Sequence, residues 1–401
     1  MNKKVFISLI CALVVGIISI SYFWVANRDK KIISSETLSQ SEQVTKSTST
    51  EQIVTITEPS TVTSQNSVQG SFSFGIQGDS HPERAGKMFN ADLYAINLQN
   101  ANNANLAFYF LLGDDFSIEK LIEDKTFTQE TVDKVYLQQK NYLKNISVPI
   151  YLVNGNHEQE AKYLLDGTNN NPAILAKIAR AKFFDSPGAE NGYYSFTHGD
   201  ALFVVIDFYW HSDLAADNVA GAKGGSAKRS DLWNNTLGDV QYQWFKKTLE
   251  ESKAKYKFVF THHVLGTGRG GVEEAKLYEW GGYNSKGVWE FDTKRPGWEL
   301  PIHQLMAKNG VTIFFQGHDH LFAKQELDGV IYQEVPNPAD NTYTAFNKDA
   351  YKTGTVLPNS GYLNVTVSPT NVKVDYIRAF LPKDETATSK NGSVAFSYTV
   401  Q

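Results

Sequence analysis

The chain of 401 residues holds one cysteine, Cys11. No intrachain disulfide can form, and no thiolate cage for a metal can be built. An excess of basic charge is also missing: 38 Lys and Arg against 43 Asp and Glu leave a net charge of −5. That removes any general electrostatic pull toward nucleic acid or anionic lipid. No internal repeat is visible. Residues 29–70 have almost no aromatic side chains and are rich in Ser, Thr, Gln and Glu. Such a stretch cannot bury enough apolar surface to order itself, so it reads as a disordered linker.

Long uncharged apolar runs are scarce, and residues 5–25 form the one of membrane-spanning length. Short basic Met1–Lys4 precedes it, and Trp24, Arg28, Lys30 and Lys31 follow. Residues 1–28 read as an uncleaved membrane anchor, with Trp24 at the interface. The alternative is a signal peptide cut at Ser19-Ile20-Ser21. Both place residues 71–401 outside the cytoplasm, at the extracytoplasmic face of the membrane or secreted.

Residues 71–401 are 'strand then polar loop' in pattern. Five apolar runs each end at once on Asp, Asn or His. Residues 72–76 lead into Gly78-Asp79-Ser80-His81, and residues 106–112 into Gly113-Asp114-Asp115. Residues 148–153 lead into Asn154-Gly155-Asn156-His157-Glu158, and residues 258–261 into His262-His263. Residues 311–315 lead into Gln316-Gly317-His318-Asp319-His320. In open α/β sheets, binding groups gather at the carboxyl ends of strands. Five such ends delivering metal-type ligands to one edge do not follow from packing alone.

The order Asp-x-His, Gly-Asp, Gly-Asn-His-Glu, His and Gly-His-x-His resembles the calcineurin-like metallophosphoesterase superfamily, which includes purple acid phosphatases and phosphodiesterases. The resemblance covers roughly residues 71–335. It implies a four-layer α/β/β/α sandwich of two mixed sheets flanked by helices. It also implies two divalent or trivalent metal ions (Mn, Fe or Zn). Asp79, His81, Asp114 and His320 would hold the first, and Asp114, Asn156, His262 and His318 the second. The physical reason for a pair is that two cations roughly 3.5–4 Å apart acidify a water and neutralise phosphoryl oxygens, so that hydroxide can attack phosphorus. His157, beside Asn156 but outside the ligand set, is then the general acid. Glu158 or Asp115 could orient it; Ser117 stands where the protein phosphatases carry a supporting Asp. No Tyr follows Gly113-Asp114, so a coloured iron–tyrosinate centre is not expected.

The reading is an exported, metal-dependent hydrolase of phosphomonoesters or phosphodiesters, taking a small phosphoester as substrate. A nucleotide phosphodiesterase or nuclease on the same fold is the first alternative, although the charge argues against nucleic acid as a partner. A cell-surface binding protein with a structural metal site is the second. Helices are expected at residues 85–100, 127–143, 172–184, 241–255 and 301–308. Candidate buried positions on the first are Met88, Leu93, Ile96 and Leu98. Hairpins are expected at Thr197-His198-Gly199-Asp200, with His198 in the turn, and at Asp328-Gly329. His303 reads as a packed helix residue. Two insertions remain, residues 215–230 and 266–299. The second should leave the sheet on the active-site side, with Arg269 as a substrate contact and its tryptophans packing the loop or stacking a ligand.

Overall fold

The computed structural model describes residues 61–62, 70–159, 172–190, 192–209, 232–266 and 268–401. The apolar segment 1–28, the insertion 215–230 and most of residues 29–70 lie outside them. Within the expected linker, Thr61–Val62 form a short strand, β1, parallel to β5. No helix among the described residues is long and apolar enough to cross a membrane.

Two sheets carry the fold. The first runs through β2 (Phe72–Gln77), β3 (Tyr109–Leu111) and β4 (Ile150–Leu152), all parallel. It continues on the other side of β2 with antiparallel β12 (Gly361–Val367), β13 (Val372–Arg378) and β14 (Val394–Val400). The second sheet has the order β1, β5 (Tyr194–His198), β6 (Ala201–Val205), β7 (Tyr256–Phe260), β8 (Ile313–Gln316), β10 (Val330–Glu334), β9 (Phe322–Leu327), β11 (Thr355–Leu357). Its centre, β6-β7-β8-β10, is parallel; its hairpins are antiparallel.

Strand side chains alternate between faces, and both faces of the central strands are covered, so β6 and β8 read as nearly continuous apolar runs. On β7, Phe258 and Phe260 enter the core between the sheets while Val259 faces the helices. Phe74, Phe110, Phe203 and Phe315 complete that inner layer, with Phe110 stacked on Phe260 at 4.2 Å. Gly75 in β2 is required by this packing: a Cβ there would stand 2.4 Å from the Tyr109 ring. Helices α1 (Ala91–Asn102), α2 (Gln129–Tyr142) and α3 (Pro172–Phe183) cover the first sheet through Tyr94, Leu98, Val132, Tyr136 and Leu175. Helices α4 (Gly238–Glu251) and α5 (Ile302–Lys308) cover the second through Tyr242, Phe245, Leu249, Leu305 and Met306. The result is the expected four-layer sandwich of two mixed sheets.

Local departures have local causes. Helix α1 starts at Ala91, not at residue 85, because the Asn90 side chain accepts from Leu93 N at 2.9 Å and caps it there. Met88 is consequently only half-buried and Phe89 takes the core position. His198 ends β5 instead of forming the turn, with its ring edge-on to Phe72 at 4.5 Å. His303 packs as expected, between Tyr332 Oη and Asp328 Oδ2, each at 2.9 Å. The 266–299 insertion touches the site only at its start. Val272, Tyr278, Trp280, Phe291 and Trp298 instead join the apolar layer outside the second sheet. Trp280 donates to Tyr332 Oη at 2.8 Å and Trp298 stacks on Tyr242 at 3.8 Å, so these two pack the loop.

Candidate metal centre

The strand ends do converge, but from two sheets. β2, β3 and β4 bring Asp79, His81, Asp114 and Asn156; β7 and β8 bring His262, His318 and His320. The site therefore lies where the two sheets face each other, not along one edge.

Asp79, Asp114, His262 and His318 offer ligand atoms within 4.8 Å of one another, and so do Asp79, His81 and His320. Asp114 Oδ2 stands between the two groups, 3.2 Å from His262 Nε2 and 3.6 Å from His81 Nε2. Asp79 Oδ1 also belongs to both, 3.5 Å from His320 Nε2 and 3.8 Å from His262 Nε2. Asn156 Oδ1 is 3.0 Å from His262 Nε2, and His318 Nδ1 is 3.1 Å from the same atom. His262 is oriented through its other nitrogen, which donates to Leu112 O at 2.8 Å. His263 turns away, with Nε2 at 3.1 Å from Gly270 O.

The backbone is contorted to achieve this. Asp79, His81, Asp114, His318 and His320 all have positive φ, from 23° to 77°. Non-glycine residues avoid that region at a cost of order 1–3 kcal/mol each, and such strain clusters at functional sites. Gly113 (φ 95°) lets the Asp114 loop pass the next loop: a Cβ there would meet Gly155 N at 2.4 Å.

Most of the charge states suit a cation, and His262 sheds a proton to bind one. Burial holds His81, His318 and His320 well below the ordinary histidine pKa, so each offers a lone pair. Burial would raise Asp114, but His262 and His157 hold it well below the usual carboxylate range. Burial pushes Asp79 up to about 7 against the pull of His262. His262 is raised to about 9 by Asp114 and Asp79, although burial works the other way. Asp79 Oδ1 and His81 Nε2 are buried and without a hydrogen-bond partner. Buried polar atoms are nearly always satisfied, and these two face the cluster, where a cation would satisfy them. Carboxylate, amide and imidazole are the donors that Mn, Fe or Zn accept. The residues fit two such ions.

Around the ligands sits a set of side chains with tertiary roles. Glu158 is buried and binds four backbone N–H groups: Asp114 and Gly155 through Oε2 at 2.9 and 2.7 Å, Asp115 and Phe116 through Oε1, both at 2.9 Å. It clamps the Asp114 loop to the Asn156 loop, so it is not a solvated carboxylate. Asp115 Oδ1 accepts from Gln77 Nε2 at 2.9 Å. Asp319 accepts from Gly270 N and from Tyr351 Oη at 2.8 and 2.6 Å. Arg269, one-third exposed, donates to Asp319 Oδ1 at 3.1 Å and to the His318 carbonyl, bracing the His318–His320 loop. Sequence reading missed Arg84. Its Nη2 lies 3.0 Å from His157 Nε2, and its Nε 3.4 Å from Glu83. The one signal was its position three residues beyond His81. The His157 ring stands 5.0 Å from that of His81, and His157 shares ligand reach with His81 and Asp114.

The sequence profile of the calcineurin-like phosphoesterase family matches residues 72–322. The chain belongs to the calcineurin-like phosphoesterase family. This phosphoesterase has the fold of a purple acid phosphatase from yellow lupin (Lupinus luteus), at 18% identity and a TM-score of 0.50 over 82% of this chain and 53% of that one. It thus spans about half the length of the lupin structure. A dimetal phosphatase from Danio rerio is similar at 13% identity and a TM-score of 0.46, over 76% of this chain and 95% of that one. A search of the curated proteins finds no match. Family membership together with the buried Asp and His cluster supports a metal-dependent hydrolase.

Proposed function

We propose that this phosphoesterase is an exported enzyme that cleaves small phosphomonoesters or phosphodiesters with two metal ions (Mn, Fe or Zn). Asp79, His81, Asp114 and His320 are assigned to the first, and Asp114, Asn156, His262 and His318 to the second. The observation that carries this reading is the convergence of the seven side chains from two sheets, five of them on strained left-handed backbone. Export rests on the basic start and apolar run of residues 1–25, which would hold the enzyme at the extracytoplasmic face.

Bound there, the cations would supply Lewis acidity to phosphoryl oxygens and acidify a water. The chain supplies the rest. Arg84, at the rim beside His157, is the guanidinium placed to take a phosphate oxygen. A guanidinium only donates, so His157 Nε2 accepts from Arg84 here. When Arg84 turns to the phosphate, His157 Nε2 takes a proton from solvent and passes it to the leaving oxygen. Arg269 has its guanidinium committed to Asp319 and the His318 carbonyl, and serves the site by fixing that loop.

The test is turnover of p-nitrophenyl phosphate and bis-p-nitrophenyl phosphate with Mn²⁺, Zn²⁺, Fe²⁺, Mg²⁺ or EDTA, beside Asp114→Asn. Metal-dependent cleavage that disappears in Asp114→Asn is expected, and the monoester to diester ratio selects the branch. Cleavage that survives EDTA, or two bound metals with no cleavage of either ester, would overturn the reading.

A further inference from the structure

Phe346 is half exposed, at 51%, and its ring meets that of His320 edge to face at 5.6 Å. His320 is in turn 4.9 Å from His81, ring to ring. A large apolar side chain thus stands at the rim of the metal cluster with half its surface in water. The loop that carries it is not loose. Three hydrogen bonds anchor it: two between Thr344 and Asn359, from Thr344 N to Asn359 Oδ1 and from Asn359 N to Thr344 O, both at 3.0 Å, on one side, and one from Asn347 Nδ2 to Asp319 O at 3.1 Å on the other. Ala345 packs against the patch of Leu321, Ala323 and Tyr351. The neighbours on both sides are anchored, and the Phe346 ring is presented outward beside His320.

We infer that Phe346 is a specificity residue, an aromatic shelf on which the enzyme stacks a planar ring carried by its phosphoester substrate. This rests on the phosphoesterase reading above and narrows its substrate class. Apolar faces next to a few fixed polar groups are how small-molecule sites choose orientation. The phosphate is held at the cluster, with Arg84 and His157 on the His81 side, while Phe346 lies on the His320 side. His157 serves the leaving oxygen, so the organic part begins there and its ring reaches the shelf across His81 and His320. A nucleobase and an aryl ring share the needed chemistry and differ in their distance from phosphorus.

The experiment compares phosphomonoesters with and without a ring, and each pair is read as the change that Phe346→Ala makes within it, because phenol is also the better leaving group. Adenosine 5′-monophosphate is set against ribose 5-phosphate, and phenyl phosphate against ethyl phosphate, on the Mn²⁺-loaded full chain and on Phe346→Ala and Phe346→Trp. Stacking of one base on an aromatic side chain changes affinity by about tenfold. The expected result is a ring preference of that size in wild type, lost in Phe346→Ala through the ring-bearing member only, and kept in Phe346→Trp. A preference in the adenosine pair identifies a nucleobase, and one in the phenyl pair an aryl ester. Equal effects of Phe346→Ala on both members of each pair, or no ring preference in wild type, would overturn the shelf. Calorimetric binding of the same four compounds is read in parallel. Should none of them be hydrolysed, the proposed activity fails, and ring-dependent binding lost in Phe346→Ala still decides the shelf.

Discussion

Replacing Glu158 by Gln changes no shape and removes one acceptor. The native carboxylate receives four backbone N–H groups, two on each oxygen, from two loops that carry Asp114 and Asn156. A glutamine oxygen can keep two of them. Its NH₂ then faces the remaining two N–H groups, donor against donor. Each buried N–H left without a partner costs about 1–3 kcal/mol, so the variant should lose roughly 2–6 kcal/mol. That is a large part of the 5–15 kcal/mol that native domains usually hold. The assay is urea unfolding of wild type and Glu158→Gln, both stripped with EDTA so that metal binding does not contribute. Metal content at saturating Mn²⁺ is measured separately and should fall, because the two loops are no longer held in register. A change in unfolding free energy below about 1 kcal/mol, with full metal content, would refute the clamp.

The two arginines should separate. Arg84→Ala should raise KM for p-nitrophenyl phosphate about tenfold, whereas Arg269→Ala should leave KM within about twofold, since it donates to Asp319 and the His318 carbonyl. The reverse pattern in steady-state kinetics would return the phosphate grip to Arg269. Removing metal should lower the melting temperature: a site filled at 100 times its Kd adds about 2.7 kcal/mol to stability. A thermal melt unchanged between excess Mn²⁺ and EDTA would mean that the buried cluster holds no metal.

The convergence of the candidate ligands was legible because each follows a strand directly, and a strand's carboxyl end is a fixed place in any sheet. Asp79, Asp114, Asn156, His262, His318 and His320 could be picked out for that reason. What supports them could not. Glu158 and Asp115 look alike in sequence, yet one clamps two loops and the other faces Gln77, because the partners come from elsewhere in the fold. Asp319, the spacer in His-x-His, is a hub only because Tyr351 and Gly270 arrive from other segments. Arg84 and Arg269 carry the same charge in loops of similar composition, and only tertiary contact tells them apart. The hairpin at Asp328-Gly329 was readable from its turn residues alone, whereas the start of α1 depended on one asparagine cap. The division of the strands between two sheets has no local signature.

Strand order has a bearing on when the site can come into being. The last ligand in the chain is His320, and the family match closes at residue 322. Yet β2, which carries the Asp79 loop, is bordered by β12, from Leu363↔Ile76 to Val367↔Phe72, and β12 by β13 and β14. His320 lies 41 residues before β12 begins at Gly361 and 80 before β14 ends at Val400. A chain still emerging from the ribosome therefore carries all of its candidate ligands before the ribbon that borders the Asp79 strand exists, and the alignment of that strand waits on a ribbon that contributes none of them.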